Sequence, residues 1–109
     1  MSDKEFAGKV VIVTGAASGL GRATALAFAA AGASTVLADI DVAGLEATAA
    51  EVRALGAQTL EVPTDISDAA ACLAVAPRAV AEFGRLDAVC NVAGAFRFDH
   101  ATAITPEVW

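Results

Sequence analysis

The 109-residue sequence has no tyrosine, a single histidine and two cysteines, and aromatic residues make up only 6% of it. No tyrosine means no phenolic proton donor among these residues. Cys72 and Cys90 lack C-x-x-C spacing, which argues against a disulfide framework and against a zinc site; both read as small buried hydrophobes. Positive charge is scarce too. Seven Lys and Arg against 13 Asp and Glu leave a net charge of −6, a balance that repels nucleic acid and anionic membrane surfaces and makes neither an expected partner. The longest uncharged run, Ala23 to Ala38, is interrupted by Gly32 and is too short to span a bilayer. The opening MSDKEFAGK carries acids and no apolar core, so it does not read as a signal peptide. A cytoplasmic location is the resulting expectation.

What the sequence has in excess is small apolar residues. At 57% hydrophobic, the interior must be built largely from Ala, Val and Leu. So apolar a balance in so short a chain predicts faces that something else covers. The length suits one domain over residues 1–109. After a short frayed lead-in over Met1 to Gly8, Lys9 to Thr14 reads as a strand. Its four consecutive β-branched residues, Val10 to Val13, suit burial on both faces. A first helix is predicted from Leu20 to Ala31, with Leu20, Thr24, Ala27, Phe28 and Ala31 inward and Gly32 as its stop. Ser34 to Ala38 follows as a strand ending on Asp39. Asp41 caps a second helix with Leu45, Thr48, Val52 and Leu55 inward and Gly56 beyond it.

Gln58 to Pro63 is a third strand, and Ser67 caps a third helix with Ala69, Cys72, Leu73, Ala76, Val80 and Phe83 inward. Pro77 lies inside that helix and is expected to kink or open it. Leu86 to Asn91 is a fourth strand, and Phe83 and Trp109 read as core residues. Thr105-Pro106-Glu107 is a strong helix start, which predicts that the sequence is interrupted at Trp109 rather than finished. Strands alternating with helices predict an α/β fold: a Rossmann-type, doubly wound parallel sheet, here partial, with about four strands and helices on both faces.

The chemistry is concentrated in Lys9 to Gly21, KVVIVTGAASGLG. A buried strand runs into a turn containing Gly15, Gly19 and Gly21 and then into a helix. Such a turn lets the backbone approach a ligand, and the helix start directs unpaired N–H groups and a positive dipole end at it, which favours phosphate. A glycine pattern alone is weak, but its context is present: Asp39, at the end of the second strand, lies 18 residues after Gly21, near the usual interval of about 20. Its carboxylate can accept both ribose hydroxyls of an adenosine and repels a 2′-phosphate, and neither Ser18 nor Ile40 supplies a cation to offset that. NAD is therefore preferred over NADP. Asp65 closes the third strand in the same way; it reads equally as an adenine contact or as a turn residue before a helix. His100, the one histidine, sits beside Asp99 in a looser segment and reads as a solvated loop residue.

The spacing T-G-x-x-x-G-x-G (Thr14, Gly15, Gly19, Gly21), with Asp39, Asp65 and the turn Asn91-Val92-Ala93-Gly94, resembles the short-chain dehydrogenase/reductase family along the whole chain. The resemblance implies that Gly15, Ser18, Gly19, Leu20 and Gly21 form the pyrophosphate turn. It also implies that Asp39, with Ile40, selects NAD, and that Asp65 and Ile66 contact adenine. Asn91 would brace the central sheet, with Ala93 and Gly94 lying against the cofactor ribose, and Phe96, Phe98 and His100 would edge the substrate site. Val92 departs from the family, which often has a second Asn there. The family's reaction is hydride transfer between NAD(H) and a secondary alcohol or ketone, with a proton relay through Tyr, Lys and Ser. No Y-x-x-x-K exists here, so no catalytic residue is assigned and the chain is expected to be inactive alone. The complete protein would be a homo-oligomer acting on a small alcohol or ketone.

Two other functions fit parts of the pattern. A non-catalytic NAD-sensing module would explain the missing relay. A methyltransferase also pairs a glycine turn with an acid after the second strand, although the long glycine spacing and the Asn91 to Gly94 turn disfavour it. A P-loop NTPase is excluded, because Gly21-Arg22-Ala23-Thr24 lacks the required Lys.

Overall fold

The strand before the glycine turn is the axis of the molecule. A computed structural model describes residues 4–92, and in it Val10–Thr14 (β1) has a parallel neighbour on each side. The elements follow as Gly19–Ala30 (α1), Ser34–Asp39 (β2), Val42–Ala54 (α2), Thr59–Pro63 (β3), Ala69–Phe83 (α3) and Ala88–Asn91 (β4). The sheet order is β3-β2-β1-β4. The chain thus winds outward from β1 to β3, and α3 then carries it back across to β4 on the other side of β1. Ligands of open α/β sheets lie at the carboxyl edge where the winding reverses, and here that point is β1.

Alternation along β1 explains why both faces are covered. Val11 and Val13 face α1 and α2 in a core with Ala25, Ala29, Leu37, Leu45, Ala49 and Val52. Val10 and Ile12 point the other way, into a second core with Val36, Val62, Val75 and Ala79 of α3. The fold is the doubly wound, Rossmann-type parallel sheet that the strand–helix alternation predicts. Two threonines enter these cores because their hydroxyls are bonded. Thr35 donates to Thr59 Oγ1 at 3.0 Å, and Thr48 donates to the Ala16 carbonyl at 2.8 Å.

Several expectations need correction. The buried face of α1 is Gly21, Ala25 and Ala29, whereas Leu20 is 72% exposed and Ala27 is also exposed. The helix packs through its smallest residues, which lets it lie close to the sheet. On α3, Val75 and Ala79 are buried, while Cys72, Leu73 and Val80 are exposed, so Cys72 is not a core residue. Leu55 is the C-terminal cap residue of α2 and is likewise exposed.

The cap of α3 is Asp68, not Ser67: its carboxylate accepts from the Ala70 and Ala71 amides at 3.0 and 3.3 Å. The helix is continuous through Pro77. The carbonyl deprived of a donor there belongs to exposed Leu73, where water can serve it. Finally, residues 4–8 are tied down rather than frayed. The Phe6 amide donates to the Ala31 carbonyl at 2.9 Å, and its ring meets Phe28 edge-on with centroids 5.1 Å apart. The Thr105-Pro106-Glu107 helix start, Phe96, Phe98, His100 and Trp109 lie outside the described residues.

Candidate functional site

The segment from Thr14 to Ser18, at the carboxyl end of β1, is fixed from both sides. On the β2 side, the Ala16 amide donates to the Ala38 carbonyl at 3.2 Å, and the Ala17 amide donates to Asp39 Oδ2 at 3.0 Å. On the β4 side, Thr14 Oγ1 donates to Asn91 Oδ1 at 2.8 Å. The turn, the Asp39 carboxylate and Asn91 therefore share one edge of the sheet.

Two glycines shape the turn by different means. A Cβ on Gly21 would lie 1.8 Å from the Gly15 carbonyl oxygen, so the bare backbone of α1 rests directly on the turn. Gly19 has φ +58° and nothing within 4 Å of the position a Cβ would take. The space over Gly19 is open, and it faces the first turn of a helix whose leading amides have no carbonyl ahead of them. Ser18 is the N-cap residue of α1, yet its side chain makes no capping bond. The site so formed offers uncharged donors to an anion.

Asp39 is the only acid bonded to the turn among the described residues. Its second oxygen, Oδ1, accepts from the Asp41 amide at 3.0 Å. Each carboxylate oxygen has two lone pairs, so one acceptor direction on each remains for a diol. Ile40, beside it, is exposed. Arg22, the cation nearest the turn in sequence, is paired with Glu51 of α2. That hydrogen bond and the glutamate's charge raise the arginine's pKa, holding the guanidinium to α2.

Asp65 follows β3, whose end lies beside that of β2: Pro63 is in register with Asp39, and the Thr64 amide donates to the Asp39 carbonyl at 2.9 Å. Asp65 Oδ1 accepts from Ser67 Oγ at 2.6 Å and from the Ser67 amide at 2.9 Å. These bonds lower its pKa below the ordinary carboxylate value, with the hydroxyl bond the larger cause. Ile66 is half-buried next to it. The structure thus brings Gly15, Ser18, Gly19, Leu20, Gly21, Asp39, Ile40, Asp65, Ile66 and Asn91 to the carboxyl edge of one sheet. Ala93 and Gly94 lie outside the described residues.

Sequence reading singled out neither Gly44 nor the hydroxyl of Thr48 for this site. Both are on α2 and both touch Ala16 or Ala17. Thr48 was legible only as an inward-facing residue; its bond spans 32 residues, and no local pattern announces it.

A profile of the short chain dehydrogenase family matches residues 9–109. The chain is 51% identical over 89 residues to a probable oxidoreductase, EphD, of Mycobacterium tuberculosis, covering 82% of this chain and 15% of that protein. It is 39% identical over 107 residues to D-threitol dehydrogenase of Mycolicibacterium smegmatis, covering 98% and 41%. The fold matches an NAD+-bound xylitol dehydrogenase crystal structure with a TM-score of 0.80 at 35% identity, over 84% of this chain and 35% of that one. The chain therefore spans well under half the length of these relatives.

Proposed function

Because the chain belongs to the short-chain dehydrogenase family, we propose that its carboxyl-edge crevice binds NAD and that residues 1–109 form the dinucleotide-binding unit of an oxidoreductase. The observation that carries this reading is the 3.0 Å bond between the Ala17 amide and Asp39, which joins a phosphate-type turn to a sugar-type acceptor. The open space over Gly19 fits such a ligand, as does the NAD+ of the similar xylitol dehydrogenase structure. The amides of Gly19, Leu20 and Gly21, with the Ser18 hydroxyl, hold the pyrophosphate. Asp39 accepts the 2′- and 3′-hydroxyls of the adenosine ribose and repels a 2′-phosphate, with Ile40 alongside. Asp65 and Ile66 border the adenine, while Asn91, Ala93 and Gly94 lead toward the nicotinamide.

When bound, NAD supplies the hydride acceptor for a secondary alcohol, or NADH the donor for a ketone. The residues of this chain bind and orient; with no tyrosine, they contribute no phenolic proton donor. A homo-oligomer of the complete protein in the cytoplasm, acting on a small alcohol or ketone, belongs to the same reading. Among the described residues no helix is long and apolar enough to cross a membrane.

Titration by calorimetry or thermal shift with NAD, NADP, S-adenosylmethionine and ATP tests this function. NAD is expected to bind most tightly. Binding of S-adenosylmethionine alone would replace the dehydrogenase reading by a methyltransferase.

A further inference from the structure

Resting on the NAD-site reading above, a further assignment concerns what keeps Asp39 in its discriminating position. The Ala16 carbonyl and the Ala17 amide belong to one peptide group, and both of its ends are held. The oxygen accepts from Thr48 Oγ1 at 2.8 Å, and the N–H donates to Asp39 Oδ2 at 3.0 Å. Ala16 and Thr48 are fully buried, so that carbonyl has no water to fall back on.

Thr48 is an unusual choice for its position. Its neighbours on the buried face of α2 are Leu45, Ala49 and Val52, and a hydroxyl among them is unfavourable unless bonded. A helical threonine commonly bonds a carbonyl of its own preceding turn. This one reaches instead to a different element. One turn earlier on α2, a Cβ on Gly44 would lie 2.8 Å from Ala17 Cβ and 3.1 Å from the Ala17 oxygen. The helix is thus pared back at Gly44 to let the turn in and armed at Thr48 to grip it.

We propose that Thr48 is a positioning residue that sets the preference for NAD over NADP. It acts by fixing the orientation of the Ala16–Ala17 peptide. With the oxygen held on α2, the N–H can only face β2, where it locks Asp39. If the peptide rotates, its carbonyl oxygen turns toward the carboxylate and repels it. Asp39 then no longer presents its free lone pairs to the ribose diol, and its charge no longer sits where a 2′-phosphate must go. NAD loses acceptors, whereas NADP loses a repulsion, so the ratio of the two affinities falls.

Dissociation constants for NAD and NADP, measured by calorimetry on the full chain and its variants, test this. Thr48→Val keeps the shape and removes the donor. Loss of one buried hydrogen bond of this kind is expected to weaken NAD by about tenfold, with NADP unchanged or tighter. Thr48→Ser restores the donor and should restore the ratio. Gly44→Ala would set a methyl group against the Asp41 carboxylate and Ala17 without touching the hydroxyl. Displacing the residue whose amide holds Asp39 should shift the ratio in the same direction even though alanine is the better helix former.

A Thr48→Val variant that loses both dinucleotides in proportion, or that changes only its melting temperature, would show a merely structural threonine and overturn the assignment. So would an Ala17 amide that exchanges with solvent at the unprotected rate in the unsubstituted chain, a measurement that needs no variant. If the unsubstituted chain binds neither dinucleotide, the NAD reading itself fails and this assignment falls with it. A parent that discriminates and a Thr48→Val variant that discriminates just as well overturn this assignment alone.

Discussion

A single carboxylate, bonded to the glycine turn, carries most of the proposed recognition. Asp39 was legible in the sequence because a strand end, a glycine turn and an interval of 18 residues converge on it, and the structure places it on the turn it was expected to serve. Replacing it with alanine should raise the Kd for NAD by about tenfold or more while lowering that for NADP, since one change removes an acceptor and a like charge together. Competition binding with both dinucleotides checks this, and equal loss for both would contradict the role. Asp87 does different work. Its Oδ2 accepts from the Val10 amide at 2.8 Å and from Arg85 Nε at 2.9 Å, and its Oδ1 accepts from Arg85 at 2.7 Å. Arg85, and then the Val10 amide, hold its pKa below the ordinary value. The folded state therefore releases this proton more readily than the unfolded one. The stabilisation is fully present above the unfolded value of about 3.9 and is lost as pH falls through the lowered folded value. Asp87→Asn should destabilise the protein at pH 7 and flatten its acid limb, as read by denaturant melts at several pH values.

At the scale of elements, all seven strands and helices among the described residues were legible, and so was most of the inward face of α2, but the inward faces of α1 and α3 were not. The reason is contrast. In GLGRATALAFAA nearly every position is apolar or small, so a helical period leaves no clear minimum to mark the exposed side. Contact with the sheet decided the matter, and it favoured Gly21, Ala25 and Ala29 over Leu20 and Ala27. The same lack of contrast misplaced Leu73 and Val80 on α3, and two adjacent cap formers hid Asp68 behind Ser67. The intimacy of α1 with the turn has a measurable price: Gly21→Ala sets a methyl group against the Gly15 backbone. Such overpacking typically destabilises by about 1–3 kcal/mol. Here it also shifts the helix start that the proposed anion site uses, so NAD affinity should fall alongside the denaturation midpoint. An unchanged affinity in a folded variant would separate the helix from the site.

Across the whole molecule, the contacts that build the site differ greatly in how far they reach along the chain. The bond from Ala17 to Asp39 spans 22 residues, and that from Thr14 to Asn91 spans 77. Loop closure is entropically easier over the shorter span, and long-range pairing is slower to form. Pulse-labelled hydrogen exchange during refolding should therefore protect the Ala17 amide and the β1–β2 ladder before β4. Simultaneous protection would contradict this order. A ribosome, working from the amino end, releases β1, α1, β2 and α2 first. The corner that joins the Ala17 amide to Asp39 is thus complete while its far wall is still unsynthesised, so the proposed choice of cofactor would be built into a nascent chain before Asn91 exists.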